Sequence, residues 1–358
     1  MSDSLHLPIV EVVKTTADSI AIYFEPTSEQ INSFQPGQFL TFNIPIDGKS
    51  VRRSYSICTA PSELPRLGVC VKRVNGGSMS NFLNDYAEKG AVLEVMKPYG
   101  GFTLNSHLSN YPPLVFIAAG SGITPVLSMI KTALFGTGGP ITLIYGNTSQ
   151  STIIFKNELD ALAAQHADRL TVLHVLSRPR EGWDGVATRL TPEFLGNVFE
   201  FLGISASLSA NYYLCGPQAM MDGGIQAIRN LGVPAENIHK ESFFSDPKDM
   251  EVEVEATASF NPDEPTDVSI IYEGQTHQIR VSPGQFILDA CIDSGLDLPY
   301  ACQMGICGMC RATKEKGSMK ISDQQESLSQ SEIEAGACLT CCAVPASSDL
   351  VINYDVRV

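Results

Sequence analysis

The chain of 358 residues is long enough for two or three domains that each bury their own core. Its formal net charge of −15 repels phosphate backbones, so nucleic-acid binding is not expected, whereas docking to a basic protein partner is favoured. No apolar run is as long as a membrane span, and the N-terminus lacks the basic and then apolar pattern of a signal peptide. We therefore expect a cytoplasmic protein with no membrane span.

Residues 1–108 are predicted to form the first domain. They contain short β-rich runs separated by Gly, Pro, Asn and Ser turns: PIVEVV, SIAIYFE, QFLTFNI, RSYSIC, LGVCVKRV and AVLEVMKP. Runs of this kind at close spacing predict an antiparallel β-barrel. A helix-like run, SNFLNDYAEKG, follows the fifth of them.

Residues 109–244 change to an alternation of strands and helices. The predicted strands are PLVFIAAG, ITLIYGN, LTVLHVLS, YYLCG and IHKESF. The predicted helices between them are PVLSMIKTALF, IIFKNELDALAAQH, TPEFLGNVFEFLG and AMMDGGIQAIRNLG. This rhythm predicts an α/β domain, with a parallel sheet covered by helices on both faces.

Residues 245–266 are acidic and short of large apolar side chains, so we interpret them mainly as a linker. An alternative is that MEVEVEA forms an edge strand. Residues 267–358 restart with a predicted hairpin, VSIIYEG and HQIRVSPG, followed by a short helix, FILDACIDSG. This last segment holds twelve acidic and six basic side chains, so it carries part of the negative charge.

The cysteines suggest a bound metal group. Seven of the ten follow position 290, where a reducing compartment argues against disulfides. The pattern C-x4-C-x2-C with a later cysteine is the spacing of a plant-type [2Fe–2S] cluster. Its members are Cys302, Cys307, Cys310 and Cys341. Gly305 and Gly308 would let backbone N–H groups approach the sulfurs. A zinc site is the alternative, but it usually shows paired C-x2-C knuckles.

The fourth cluster ligand has to be chosen among neighbouring cysteines. The stretch GACLTCCAVP resembles the ferredoxin pattern in which L-T-C precedes a small residue and a proline, and this points to Cys341. Cys338 and Cys342 would then be small buried hydrophobic residues, and so would Cys291 on the predicted helix.

Two patterns in the first domain suit a flavin. Arg53, Ser54, Tyr55 and Ser56 end a strand and offer a cation, hydroxyl groups and an aromatic ring. An ordinary strand could also carry such residues, but Lys72 ends a later strand and a Gly–Ser turn then opens a helix. A helix N-terminus binds pyrophosphate well. The turn consists of Gly77, Ser78, Met79 and Ser80.

Two further motifs lie at strand ends of the α/β domain. The segment G-S-G-I-T-P, which includes Gly120, Gly122 and Thr124, occupies the phosphate-loop position without being the usual G-x-G-x-x-G. Cys215 begins C-G-P at the end of a later strand, where ligands bind in such sheets. A buried cysteine beside a structural turn explains Cys215 equally well.

Taken in order, R-S-Y-S, G-S-G-I-T-P and Y-L-C-G-P are similar to motifs of the ferredoxin–NADP⁺ reductase superfamily. With its C-terminal ferredoxin segment, nearly the whole chain resembles oxygenase-type electron-transfer reductases, such as the reductase subunits of phenylacetyl-CoA epoxidases. The resemblance implies a six-stranded flavin barrel, a nicotinamide α/β domain and a β-grasp ferredoxin domain.

The resemblance also implies roles for the barrel residues. Arg53, Tyr55 and Ser56 would hold the flavin ring and phosphate, and Lys72 would lie near the ring. The turn from Gly77 to Ser80 would approach the pyrophosphate of FAD, which makes FAD the expected flavin and FMN the alternative.

In the second domain, Thr124 would contact flavin and nicotinamide, Cys215 would lie over the hydride-transfer region, and Glu241 would complete the flavin pocket. The implied function is electron transfer from NAD(P)H through FAD to the cluster, and on to an oxygenase, hydroxylase, desaturase or other electron-accepting protein. The cofactors carry this chemistry, and the protein supplies orientation. A stand-alone flavin reductase of a small-molecule acceptor is the alternative. A third possibility, a redox sensor, is not supported, because the sequence shows no DNA-binding pattern.

The coenzyme preference depends on the end of the third predicted strand. By the same resemblance, the pair Ser177 and Arg178 would hold the 2′-phosphate of NADPH, and Arg180 lies close by. Related epoxidase reductases carry a second cation where this chain has Thr148. A solvated loop explains the same residues without a ligand. NADPH is therefore favoured only slightly over NADH.

Overall fold

A computed structural model describes most of the chain, and its described residues form two compact units, Met1–Phe243 and Phe244–Val358. None of the helices in this described part is long and apolar enough to cross a membrane. The boundary predicted at 108/109 and residues 245–251 of the predicted linker lie outside the described residues. The described residues are 4–104, 110–204, 210–243, 252, 254–257, 260–322, 325 and 327–356.

The first half of the first unit is an antiparallel barrel. Its strands are β1 (Ser4–Thr16), β2 (Ser19–Phe24), β3 (Phe39–Ile46), β4 (Lys49–Ser56), β5 (Leu67–Lys72) and β6 (Val92–Met96). They pair in the order β4-β3-β6-β1-β2-β5. An antiparallel bridge between Ile57 and Val69 joins the two edges and closes the barrel. Helix α1 (Ser78–Tyr86) buries Met79 and Leu83 against it. The predicted barrel is confirmed.

The second half of this unit is a parallel sheet with helices on both faces, as predicted. The sheet order is β12-β11-β10-β8-β13-β14. The strands are β7 (Asn110–Tyr111), β8 (Leu114–Ala119), β9 (Thr137–Gly138), β10 (Ile141–Asn147), β11 (Leu170–Leu176), β12 (Val186–Ala187), β13 (Asn211–Gly216) and β14 (Ile238–Ser242), with β7 and β9 forming a separate pair. The helices are α2 (Ile123–Phe135), α3 (Lys156–Gln165), α4 (Pro192–Phe201) and α5 (Gln218–Asn230).

The strand order places a switch point at the centre of this sheet. From β8 the chain moves outward through β10 and β11 to β12, and it then returns to β13 on the other side of β8. Helices α2 and α3 contribute to the core on one face, while α4 and α5 contribute to the core on the other. Ligands of open α/β sheets bind beyond the carboxyl ends of the strands at such a point. The loops after β8 and β13 are therefore neighbours.

The second unit has the β-grasp arrangement. Its main sheet has the order β16-β15-β21-β17-β19, and β18 pairs with β20. The elements are β15 (Thr266–Tyr272), β16 (Gln275–Val281), α6 (Ile287–Asp293), β17 (Arg311–Lys316), β18 (Met319–Ile321), α7 (Gln330–Glu334), β19 (Ala337–Leu339), β20 (Ala343–Pro345) and β21 (Val351–Asn353). The predicted hairpin and helix correspond to β15, β16 and α6.

The predicted linker is described only in part. At the described positions of MEVEVEA, 252 and 254–256, the backbone is not in a strand. Val252 and Val254 are partly buried against the core of the second unit. These described linker positions therefore contribute packing to that unit, whereas the linker boundaries stay predictions.

Candidate cofactor sites

The structure brings together the four cysteines that the sequence singled out. All four thiols are buried in the second unit, on the loop before β17 and on the turn after β19. The thiol of Cys302 contacts that of Cys307, and the thiol of Cys310 contacts that of Cys341. The arrangement is therefore two pairs of sulfur atoms.

Backbone N–H groups surround these sulfurs. Met304 N and Cys307 N each donate to Cys302 Sγ at 3.4 Å, and Gly305 N donates to Cys341 Sγ at 3.2 Å. The Cys307 thiol and the amides of Met304 and Cys307 lower the pKa of Cys302 to about 6, against the raising effect of burial. Donors aimed at sulfur stabilise thiolates, which are the form that binds metal.

Two glycines make this loop possible. Gly305 and Gly308 have φ values of 69° and 70°, in the left-handed region that favours glycine. The sequence predicted that they bring N–H groups towards sulfur, and the bond from Gly305 to Cys341 confirms this for Gly305. A Cβ at Gly305 would also lie 2.9 Å from Gln325 Cβ, so a larger residue does not fit there.

This donor set fits a [2Fe–2S] cluster. Such a cluster needs four thiolates, two for each iron, and the structure offers two contacting pairs. Among the described residues, no three His, Cys, Asp or Glu side chains form a group suited to a single metal ion. The paired geometry and the sulfur-directed amides favour the cluster over zinc.

The remaining cysteines of the second unit are buried, as predicted. Cys338 Sγ donates to Ala312 O at 3.4 Å, and Cys342 Sγ donates to Leu339 O at 3.5 Å. Cys291 is fully buried on α6. Since Cys342 also contacts Cys341, the assignment of Cys341 as ligand stays a prediction.

In the barrel, β4 ends with the residues that the sequence assigned to the flavin. Alternation along the strand puts Arg53 and Tyr55 on one face and Ser54 and Ser56 on the other. The Tyr55 ring packs 5.6 Å from that of Phe42, and burial raises the pKa of its phenol. Arg53 Nη1 donates to the carbonyl of the preceding residue at 2.7 Å. The cation and the aromatic ring therefore share a face.

The other face of β4 meets the α/β half. Ser56 Oγ donates to Glu241 Oε2 at 3.5 Å, and both residues are buried. Ser54 Oγ lies 2.9 Å from Thr41 Oγ1 inside the barrel sheet. The structure thus joins two predicted site residues, Ser56 and Glu241, that are far apart in sequence.

The predicted Gly–Ser turn lies at the start of α1. Gly77 is the N-cap, and the first helical amides, those of Ser78, Met79 and Ser80, have no acceptor within the helix. Ser80 Oγ accepts a hydrogen bond from Val74 N at 3.1 Å, which fixes the preceding loop. The hydroxyl keeps its own proton, so it and the helical amides are donors suited to a phosphate.

The two loops at the switch point touch. A Cβ on Gly122 would lie 2.0 Å from the carbonyl oxygen of Cys215, so only glycine fits. Thr124 is buried on the first turn of α2, where its hydroxyl donates to Ser121 O at 2.9 Å. The structure therefore places Gly120, Gly122, Thr124 and Cys215 in one neighbourhood.

A cation from the barrel reaches the same neighbourhood. Lys72 Nζ would be 3.9 Å from a Cβ on Gly120, and it lies 3.8 Å from Asp18 Oδ2. Tyr145 OH, on β10, donates to Gly120 O at 2.8 Å and so fixes the turn. No sequence motif indicated Asp18 or Tyr145, since each acts through a partner remote in sequence.

The predicted 2′-phosphate residues lie at the end of β11. Ser177 N donates to Asn147 O at 2.9 Å, and Arg178 N donates to Thr148 O at 2.8 Å, so the two strand ends stay paired. The side chains of Ser177, Arg178, Thr148 and Arg180 are exposed. An anionic group at this edge would thus find two arginines beside Thr148.

The loop that follows carries the chain's single tryptophan. Trp183 Nε1 donates to Val186 O at 3.1 Å, and the indole packs on the core beneath α2 and α3. A Cβ on Gly185 would lie 2.5 Å from the indole ring, so the missing side chain makes room for it.

Family models match three consecutive stretches of the chain. They are an oxidoreductase FAD-binding domain over residues 6–104, an oxidoreductase NAD-binding domain over 116–224 and a 2Fe–2S iron–sulfur cluster binding domain over 270–346. The protein is therefore an oxidoreductase whose cofactors are FAD, a nicotinamide coenzyme and a [2Fe–2S] cluster.

Full-length relatives narrow this class. The chain is 35% identical over 363 residues to the ferredoxin reductase component of 3-ketosteroid-9-alpha-monooxygenase from Mycolicibacterium smegmatis, covering 99% of this chain and 98% of that protein. It is 33% identical over 357 residues to a subunit of the 1,2-phenylacetyl-CoA epoxidase from Escherichia coli, covering 98% of each. The chain belongs to this family of oxygenase reductase components, within the ferredoxin–NADP⁺ reductase superfamily.

A solved structure shares the fold. Phthalate dioxygenase reductase, described as a modular structure for electron transfer from pyridine nucleotides to [2Fe–2S], aligns with a TM-score of 0.61. The alignment covers 98% of both chains at 23% identity, so the likeness concerns the fold alone.

Proposed function

We propose that the protein supplies electrons from NAD(P)H to the oxygenase component of a multicomponent monooxygenase in the cytoplasm. The observation that carries this proposal is the match along the whole chain to reductase components named for such systems, with the iron–sulfur unit retained. A glycine betaine monooxygenase reductase subunit from Pseudomonas aeruginosa, 30% identical over 358 residues, belongs to the same group of relatives. Phenylacetyl-CoA epoxidase is one candidate partner.

The flavin is assigned to barrel residues at the end of β4 and at the start of α1. Arg53 and Tyr55, on one face of β4, supply a cation for phosphate and an aromatic surface for the ring. The amides that open α1 at Ser78 supply pyrophosphate donors. Ser56, which ends β4, and Glu241 are assigned to the same site; their hydrogen bond at 3.5 Å joins the end of β4 to the α/β half and supports this role.

The coenzyme is assigned to the switch point. The turn at Gly120 and Gly122, with Lys72 beside it, suits a pyrophosphate, and Thr124 and Cys215 lie where the nicotinamide enters. A flavin held at this site would supply the chemistry that accepts a hydride, two electrons at once, from the coenzyme and passes the electrons one at a time to the cluster. The residues themselves bind, orient and exclude water.

The cluster is assigned to Cys302, Cys307, Cys310 and Cys341. Burial of all four sulfurs keeps solvent away, and the N–H donors tune the reduction potential, which for plant-type clusters is about −400 mV. Thiolate ligation also agrees with a reducing compartment, and this supports the cytoplasmic assignment.

Electron transfer can be tested by comparing two acceptors. Ferricyanide takes electrons at the flavin, whereas an oxygenase component or cytochrome c depends on the cluster. We expect Cys310→Ser to retain ferricyanide reduction and to lose NAD(P)H oxidation that depends on the protein acceptor. Cys291→Ser, a buried cysteine away from the thiol pairs, is the matched control and should behave as wild type.

The stand-alone alternative makes the opposite prediction. A flavin reductase of a small molecule would oxidise NAD(P)H rapidly without any protein partner, and Cys310→Ser would leave that rate unchanged. This result, together with the absence of any stimulation by oxygenase components, would overturn the proposed function.

A further inference from the structure

One face of α2 connects the coenzyme loop with the barrel. Thr124, Ser128 and Lys131 are spaced by four and three residues and so lie along one side of the helix. Thr124 belongs to the proposed site at the first turn. One turn later, the buried Ser128 Oγ donates to Thr59 O of the barrel at 2.6 Å.

Two turns along the same face, Lys131 makes a second link. Its ammonium lies 3.3 Å from the carboxylate of Glu63 on the barrel and also pairs with Glu158 on α3. The Lys131 side chain is only 14% exposed. Burial lowers the pKa of Lys131, but the two carboxylates outweigh this and hold the pKa above its ordinary value. The cation is therefore held charged between two domains.

Glu63 is itself fixed on the barrel. It ends a single helical turn, and its carboxylate accepts a hydrogen bond from Ala60 N as well as from Lys131. This turn follows β4 directly, so only a short stretch of chain separates Glu63 from Arg53–Ser56. Glu63 is therefore held by α2 a few residues after the strand assigned to the flavin.

We propose that the Lys131–Glu63 pair is a positioning device that sets the distance between the flavin strand and the nicotinamide loop. The proposal rests on the proposed function, since it takes the flavin at β4 and the coenzyme at the start of α2. Hydride transfer demands reacting atoms about 3–3.5 Å apart, and small displacements are costly. Lys131 and Glu63 act through the backbone and do not touch the cofactors.

Glu158 provides a matched control. It pairs with the same ammonium, but it lies on α3 within the α/β half, so the Lys131–Glu158 pair does not cross to the barrel. Glu63→Gln and Glu158→Gln each remove one carboxylate charge, and Glu63→Gln keeps an oxygen for Ala60 N. An effect that is specific to Glu63→Gln would come from the link between the two domains. An effect that both variants share would come from a general loss of stability in the charge network.

The experiment measures flavin reduction by stopped flow on the flavin-loaded full chain. We expect Glu63→Gln to slow flavin reduction at saturating coenzyme by roughly three- to tenfold with little change in KM, and Glu158→Gln to stay near wild type. A second readout is hydrogen exchange of the backbone amides of residues 59–64, which should become faster only in Glu63→Gln. If Glu63→Gln fails to accumulate, Lys131→Met removes both pairs, and slowing of flavin reduction beyond that of Glu158→Gln then measures the link to Glu63.

Two results would overturn the inference. Equal slowing in both glutamine variants would show general destabilisation, and unchanged reduction and exchange in Glu63→Gln would show that the pair positions nothing. A wild-type protein that binds no flavin, or whose flavin neither coenzyme reduces, would refute the proposed function instead.

Discussion

A single methyl group at Gly122 tests the contact between the two coenzyme loops. The backbone at Gly122 has φ −60°, so alanine meets no conformational penalty there and the effect is purely steric. The new Cβ would lie 2.0 Å from the carbonyl oxygen and 2.5 Å from the carbonyl carbon of Cys215. Since such contacts are not found below 3.0 Å, the backbones must separate by roughly 1 Å.

That separation opposes the sheet itself, because Ala118 and Cys215 are paired on neighbouring strands. Overpacking costs about 1–3 kcal/mol, and a clash between backbone atoms belongs at the upper end. At about 2–4 °C per kcal/mol for a unit of this size, Gly122→Ala should lower the unfolding temperature of the first unit by roughly 6–12 °C. The KM for the coenzyme should rise as well.

Thermal unfolding followed by circular dichroism and by flavin release measures this effect. Gly196→Ala is the matched control, since a Cβ there meets open space within α4. Alanine in a helix interior should stabilise the protein by about 0.5–1 kcal/mol. If Gly122→Ala unfolds at the wild-type temperature and binds coenzyme normally, the two loops do not approach each other as closely as the steric argument requires.

Three further predictions concern the cluster, the coenzyme and pH. Cys341→Ser should lose the visible absorbance and the reduced-state EPR signal of the cluster while keeping flavin, and Cys342→Ser should keep both; the reverse pattern would move the ligand by one residue. Arg178→Ala should raise the KM for NADPH several-fold and spare NADH, since a charge-assisted bond contributes about 1.5–3 kcal/mol, whereas equal effects would exclude a 2′-phosphate contact. Burial lowers the pKa of His174 although Asp160 lies 3.4 Å away, so the unfolded chain binds the proton more readily. The free energy of unfolding should then fall as pH drops below about 6.5, and His174→Gln should flatten that slope in denaturant titrations.

The sequence predicted the larger elements because their periodicity is local. The barrel strands and the alternating α/β elements have apolar patterns that are long enough to identify each element as a strand or a helix. Strands β18, β19, β20 and β21 were not predicted, since each has three residues, too few to show alternation. Strand β17 reads RATKEK, and its charged end hides the pattern.

Site residues that are close together in sequence were predicted more readily than those that only the fold brings together. Cys302, Cys307 and Cys310 follow one another in a loop, so their spacing alone indicated shared ligation. The bond between Ser56 and Glu241 spans 185 positions, and only the resemblance to a family pointed to Glu241. No sequence pattern predicted the Lys131–Glu63 pair, because the pair depends on how α2 packs against the barrel.

The indole of Trp183 is an intrinsic fluorescent probe at a defined place in the structure. Because the chain holds one tryptophan, all its tryptophan emission originates in the loop between Arg180 and β12. The ring is anchored by its bond to Val186 and packs against the core, while the neighbouring arginine side chains reach solvent. Coenzyme titrations can therefore be followed at this edge of the sheet without attaching a dye, and a change in emission that is stronger with NADPH than with NADH reads out the 2′-phosphate directly.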